Sequence, residues 1–169
     1  YFFRKAPQHI PVCLQPATTP LFAILESIHE QLRLLKKELQ KIADSIPAVS
    51  RLQQVPSIGL ITALTFVLTV EDPTRFRINR NVGAYFGLSP RKKDSGDSEP
   101  QLPITKAGDT HLRRLFVVCA HHLLHRGKDC ALKQWGLELC RRGGKNAKKR
   151  AAVAVARKFA VHLLAIWKS

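Results

Sequence analysis

The chain has 169 residues, 28 Lys and Arg against 12 Asp and Glu, a formal net charge of +16 and 45% hydrophobic residues. That apolar fraction is ordinary for a folded protein and excludes a disordered basic tail. So large a positive charge repels itself and points to a polyanionic partner, nucleic acid before anionic membrane.

A membrane span is not expected, because the longest strongly apolar run, residues 60–70, is too short to cross a bilayer and contains Thr62, Thr65 and Thr69. The start, Tyr1-Phe2-Phe3-Arg4, lacks the apolar core of a signal peptide. Cys13, Cys119, Cys130 and Cys140 form no CxxC pair, so reduced thiols in a cytoplasm are the expectation. Methionine is absent even from position 1, which suggests a fragment whose N-terminal part lies outside this sequence.

Residues 1–20 hold Pro7, Pro11, Pro16 and Pro20 and read as an extended linker. From Pro20 onward Leu21, Ile28, Leu35 and Ile42 repeat every seven residues, and Leu25, Leu32, Leu39 and Ile46 repeat with an offset of four. This a/d seam predicts a coiled-coil helix over residues 21–47, started at Pro20, stopped by Pro47 and pairing with a second copy. A long helix packed within its own chain is the alternative.

Residues 48–169 read as a compact helical domain. Leu52 to Gly59 and the apolar helix after it resemble a helix-hairpin-helix, whose Pro56, Ser57 and Gly59 can present backbone N–H groups to a phosphate. An αα-corner with no ligand is the other reading. A short helix over residues 79–86 packs Val82, Tyr85 and Phe86. Residues 87–108 follow as a long irregular loop of the kind that is often functional. Asp109 or Thr110 caps the next helix, whose buried stripe is Leu112, Leu115, Phe116, Cys119 and Leu123. Two last helices are separated by Arg141-Arg142-Gly143-Gly144-Lys145-Asn146, and the second, from Ala147 to Trp167, is Ala-rich. The fold class is therefore all-α.

After Glu138 no acidic residue occurs, while Arg141, Arg142, Lys145, Lys148, Lys149 and Arg150 cluster around a glycine pair. Such a block suits phosphate contacts that release counterions, and its bland reading is a solvated helical face. His121 and His125 lie one turn apart, but without a second ligand pair they read as a polar rim and no metal site is expected. In the long loop, Ser95 stands among Arg91, Lys92 and Lys93 on one side and Lys106, Arg113 and Arg114 on the other. A serine can attack a phosphodiester where cations neutralise the phosphate and a base takes the proton, although a Ser-Gly step is usually only a turn. Ser89 and Ser98 are its rivals, and His111 is the only histidine close in sequence.

One resemblance draws these features together. Val55-Pro56-Ser57-Ile58-Gly59, Phe76, the run from Ala84 to Pro90, Ser95-Gly96, Ile104-Thr105-Lys106-x-Gly108 and Leu112-Arg113-Arg114-Leu115 occur in this order. The series resembles the C-terminal domain of insertion-sequence 110/116/902 transposases, which include Piv-like DNA invertases. The resemblance implies a full-length enzyme with a RuvC-like domain carrying a metal-binding acidic tetrad, hence a divalent metal (Mg) there and no cofactor in this chain. It implies Ser95 as the nucleophile for strand cleavage and exchange, and a structured guide RNA beside DNA as partner. The fragment alone is then expected to bind DNA without cutting it. Two positions depart from the family pattern: Asp97 replaces a second glycine, and Ala107 replaces a second cation. The alternative is a non-catalytic helix-hairpin-helix module that only binds nucleic acid.

Overall fold

The computed structural model describes residues 9–91 and 102–169, in two compact units that divide between Ser45 and Ile46.

In the first unit a 3-10 turn, Val12–Leu14, leads into helix α1, Gln15–Asp44, which is 30 residues long and so about 45 Å at 1.5 Å per residue. The helix starts five residues before Pro20, so the last part of the expected linker is helical. Pro16 stands in the first turn, where its missing N–H costs nothing. Pro20 lies inside the helix and cannot donate to a carbonyl one turn back. In the turn before it, the Thr18 and Thr19 hydroxyls donate to the carbonyls of Leu14 at 3.1 Å and Gln15 at 2.7 Å. The other end also comes early. Ser45 Oγ donates to the Ile42 carbonyl at 2.6 Å, and Ile46 is the extended N-cap of the next helix, so it leaves the seam. Six of the seven remaining seam positions stay open to solvent: Leu21, Leu25, Ile28, Leu32, Leu35 and Ile42 are exposed, from 39% at Leu25 to 58% at Leu32, and Leu39 is half-buried. Glu30–Arg33 and Glu38–Lys41 pair beside them at 2.6 and 2.7 Å, exposed contacts of little energetic weight.

The second unit holds helices α2 (Pro47–Leu52), α3 (Leu60–Val70), α4 (Asn81–Tyr85), α5 (Thr110–His125), α6 (Ala131–Arg141) and α7 (Ala147–Lys168), with a 3-10 turn at Pro73–Arg75. No strand occurs among the described residues, and the architecture is all-α as expected. Helix α7 is the central element. Ala151, Ala152, Val155, Ala156, Phe159, Ala160, Leu163 and Leu164 are all buried, and α2, α4, α5 and α6 pack against this helix. Its alanines are what let two neighbouring helices come close. Gly136 does the same from α6, since a Cβ there would sit 2.6 Å from Leu124 and 2.7 Å from Val155.

Phe66 of α3, Phe86 and Phe116 of α5 pack with ring centroids 5.8 to 6.0 Å apart, and Trp167 closes on Phe66 at 6.0 Å. Such tilted and edge-on pairs add about 0.5–1.5 kcal/mol each beyond the area they bury. Leu112, Phe116, Cys119 and Leu123 form the buried stripe of α5 as expected, whereas Leu115 is half-buried. Tyr85 departs from expectation. It is 38% exposed, its ring set edge-on to Phe76 and Phe86 with Arg75 above it.

Candidate nucleic-acid interface

The irregular stretch between α4 and α5 has an ordered base. Arg91 N–H donates to the Pro103 carbonyl at 3.0 Å, Thr105 N–H to Ser89 at 2.9 Å and Lys106 N–H to Gly87 at 3.1 Å, with an antiparallel bridge between Pro90 and Ile104. The two ends of the loop are therefore paired as a stem, where the sequence led us to expect no regular pairing. Glycine is required at both crossings. A Cβ on Gly87 (φ +65°) would lie 2.3 Å from Ala107 N, and one on Gly108 (φ +69°) would lie 2.0 Å from the Tyr85 carbonyl oxygen. Lys106 itself takes a left-handed φ of +58°.

Arg113 locks this stem. Its guanidinium donates to the carbonyls of Ala107 at 2.7 Å and Phe86 at 3.1 Å, and to Thr110 Oγ1 at 3.0 Å. Only 8% of the residue is exposed. Of the six cations expected around the loop, four lie among the described residues: Arg113 faces backbone carbonyls, while Arg91, Lys106 and Arg114 are exposed. Asp109 caps α5 by accepting from Leu112 N–H, which decides the choice between Asp109 and Thr110. Thr105 Oγ1 is buried beside the stem without a hydrogen-bond partner. Ser95, Ser98, Lys92, Lys93 and Asp97 lie outside the described residues. His111 is exposed at the start of α5.

The segment read as a hairpin or an αα-corner is a helix, a turn and a helix: α2, residues 53–59, and α3. Ser57 adopts φ +69°, unusual for a residue with a side chain, and its hydroxyl lies 3.0 Å from His122 Nδ1 of α5. Gly59 has an ordinary φ of −94°, and a Cβ there would meet nothing within 4 Å. The fold therefore does not demand glycine at this point. Between the hairpin and the end of α5 lies an open cleft of about 370 Å³, lined by residues 53–58, His122 and residues 126–128. Arg126 and Lys128, the cations of this cleft, did not stand out from the sequence. Two charges one residue apart carry no pattern until the fold sets them against the hairpin.

The basic segment joins α6 to α7. Gly143 and Gly144 take φ of +72° and +85°, and Asn146 φ +64°. Arg150 helps to hold the turn by donating to the Gly143 carbonyl at 3.3 Å. Arg141, Arg142, Lys145, Lys148, Lys149 and Arg150 are all exposed. Arg141 pairs loosely with Glu138 at 3.3 Å, and both side chains are well exposed. Two cations farther along α7 are used internally. Lys158 lies over the Trp135 ring at 3.8 Å, and Arg157 packs across Gly83.

The histidine rings of His121 and His125 stack at 6.1 Å, nearly parallel. Among the described residues no three His, Cys, Asp or Glu side chains gather as a metal site needs. No described helix is long and apolar enough to cross a membrane.

Residues 49–135 match the model of the transposase IS116/IS110/IS902 family, a span that runs from α2 through the hairpin and the stem to Trp135 and stops short of the α6–α7 turn. The chain is 36% identical over 127 residues to the transposase for insertion sequence element IS1111A of Coxiella burnetii, covering 74% of this chain and 34% of that protein. It is 31% identical over 135 residues to the transposase for insertion sequence element IS1328 of Yersinia enterocolitica, covering 71% and 40%. With an uncharacterized protein of insertion element IS110 from Streptomyces coelicolor it shares 30% identity over 100 residues, covering 59% and 25%. The chain spans less than half the length of each of these relatives. With more than half of its residues matched to the family model, this chain belongs to the transposase IS116/IS110/IS902 family.

Proposed function

We propose that this chain is the part of an insertion-sequence transposase that grips nucleic acid and supplies the serine nucleophile for strand cleavage and exchange. The observation that carries the binding half is the α6–α7 turn, where six exposed cations surround two left-handed glycines with no acidic side chain after Glu138. Each phosphate met there releases condensed counterion. DNA is the ligand, with a structured RNA as a second polyanion for the same kind of surface.

The catalytic half rests on the family's serine, which falls at Ser95. In that step a bond forms from Ser95 Oγ to phosphorus while the bond from phosphorus to the departing sugar oxygen breaks. The hydroxyl proton passes to a base, and the departing oxygen takes one up. Arg91 and Lys106 at the stem and Arg114 on α5, all exposed, are the cations this reading assigns to neutralise the phosphate. Arg113 serves this chemistry by holding the stem, not by touching phosphate. The exposed stripe of α1 pairs with the same stripe of a second copy, making the enzyme at least a dimer.

Two measurements test the reading. Changing Lys145, Lys148 and Lys149 to Gln should weaken binding alike for unrelated sequences and flatten the plot of log affinity against log salt by about 0.9 per lost phosphate contact on duplex DNA. An unchanged slope removes the α6–α7 turn from the interface. In the complete transposase, Ser95→Ala should abolish a covalent protein–DNA adduct while leaving binding intact. An adduct that survives, or whose DNA-linked peptide carries its DNA on Ser89 or Ser98, refutes the assignment.

A further inference from the structure

We infer that the cleft between the hairpin and the end of α5 is a second nucleic-acid contact, separate in its residues from the α6–α7 turn, which takes one sugar-phosphate unit of a strand. The inference rests on the reading that nucleic acid is the ligand of this chain, and it adds a site with its own residues. At about 370 Å³ the cleft falls within the usual size range of small-ligand sites and leaves room for a sugar and its phosphate.

Its lining has two characters. Val55, Pro56 and Ile58 give it an apolar wall, against which a sugar can lie. His122, Arg126 and Lys128 stand across from them, and no carboxylate lines the cleft. Arg126 and Lys128 are exposed, and neither side chain has a hydrogen bond or ion pair to another described residue. The nearest acid in sequence, Asp129, accepts from Gln134 Nε2 at 3.1 Å.

Cations at the end of a helix often serve only to offset its partial negative charge. Here one carbonyl of the last turn, that of His122, and the Gly127 carbonyl beyond it already have partners. Both Arg126 N–H and Gly127 N–H donate to the His122 carbonyl at 2.8 Å, and Lys133 Nζ donates to the Gly127 carbonyl at 2.7 Å. Arg126 and Lys128 make no side-chain hydrogen bond to these carbonyls, and an anion entering the cleft meets both of them. The Ser57–His122 hydrogen bond ties the hairpin to α5 across the cleft. Ser57 is held in a left-handed conformation that costs about 1–2 kcal/mol, a strain of the kind that persists where surrounding structure fixes a functional turn.

The test uses R126Q/K128Q, two exposed changes that leave every described hydrogen bond in place. A labelled DNA strand and an RNA strand of the same sequence are titrated against the chain over a range of salt. Losing one phosphate contact lowers the salt slope by about 0.7–0.9 and, near 0.1 M salt, the affinity by about five- to eightfold, the factor given by 0.1 raised to that negative power. In parallel, the amide resonances of Ser57, Ile58 and Gly127 should shift when the strand is added to the parent and stay still in the double variant. Loss with both polymers assigns the cleft to the shared sugar-phosphate, and loss with one assigns it to that polymer. An unchanged slope and shifts that persist in the variant overturn the proposal. K145Q/K148Q/K149Q keeps the two readings apart. If that variant loses affinity and R126Q/K128Q does not, the cleft fails and the α6–α7 interface stands. If the parent binds neither polymer, both fail.

Discussion

Arg113→Met removes the guanidinium while keeping an unbranched apolar stem of similar reach. The parent side chain makes two short bonds to carbonyls, at 2.7 and 3.1 Å, and one to Thr110 Oγ1 at 3.0 Å, at a position only 8% exposed. A hydrogen bond from a charged donor contributes about 1.5–3 kcal/mol, and a buried carbonyl left without a partner costs about 1–3 kcal/mol. These contributions do not add fully within one network, so the expected loss is on the order of 3 kcal/mol. For a unit of this size that lowers Tm by on the order of 10 °C. Denaturant unfolding followed by circular dichroism reads the global loss. Amide exchange reads the local one, and the N–H groups of Thr105 and Lys106, which close the stem, should lose protection first. Arg113→Lys should recover only part of the loss, since one ammonium cannot span the positions that a fork reaches. A variant within about 1 kcal/mol of the parent that instead binds nucleic acid poorly would refute the structural role and return Arg113 to the interface.

Replacing Leu32 and Leu35 of α1 with Asp should turn a dimer into a monomer in sedimentation, and an unmodified chain that already sediments as a monomer at tens of micromolar refutes the pairing of this stripe. Gly108→Ala should destabilise by more than about 1 kcal/mol, because its Cβ would collide with the Tyr85 carbonyl at a positive φ. Gly59→Ala, at the N-cap of α3 with an ordinary φ and open space around it, should cost less than about 1 kcal/mol, and equal losses at the two glycines would contradict the geometry of the stem. Burial pushes the Cys119 thiol above its ordinary pKa, only partly offset by its contact with Thr62. Alkylation should therefore reach exposed Cys13 first and Cys119 last, and rapid labelling of Cys119 in the folded chain would mean that α3 and α5 part readily.

Much of this fold is legible along the chain because helix signals are local. Asp109 before a 3.6-residue apolar stripe is enough to place α5, and the Ala-rich pattern after Asn146 is enough to place α7. The heptads of α1 could be read off for the same reason, although the start was misplaced: Pro20 looks like a boundary, yet the helix accommodates it one turn inside, with Thr18 and Thr19 bonded back to earlier carbonyls. Charge is also legible, so the α6–α7 cations stand out from sequence alone. The family resemblance, carried by short motifs in fixed order, needed no geometry either.

Contacts between residues far apart in sequence could not be read in this way. The stem joins Ser89 to Thr105 and Gly87 to Lys106 through backbone bonds that leave no periodic trace, so the segment looked irregular. Arg113 looked like one more cation beside a serine loop. Only packing decided that its guanidinium points at the Phe86 and Ala107 carbonyls, because burying a charge requires partners and the stem supplies them. The same holds for the cleft. Ser57 and His122 are 65 positions apart, and Arg126 and Lys128 gain a shared purpose only once α5 ends against the hairpin. One-dimensional pattern records which faces are apolar and where charge accumulates, while the direction in which a particular cation points is decided by the tertiary packing of groups that must find hydrogen-bond partners on burial.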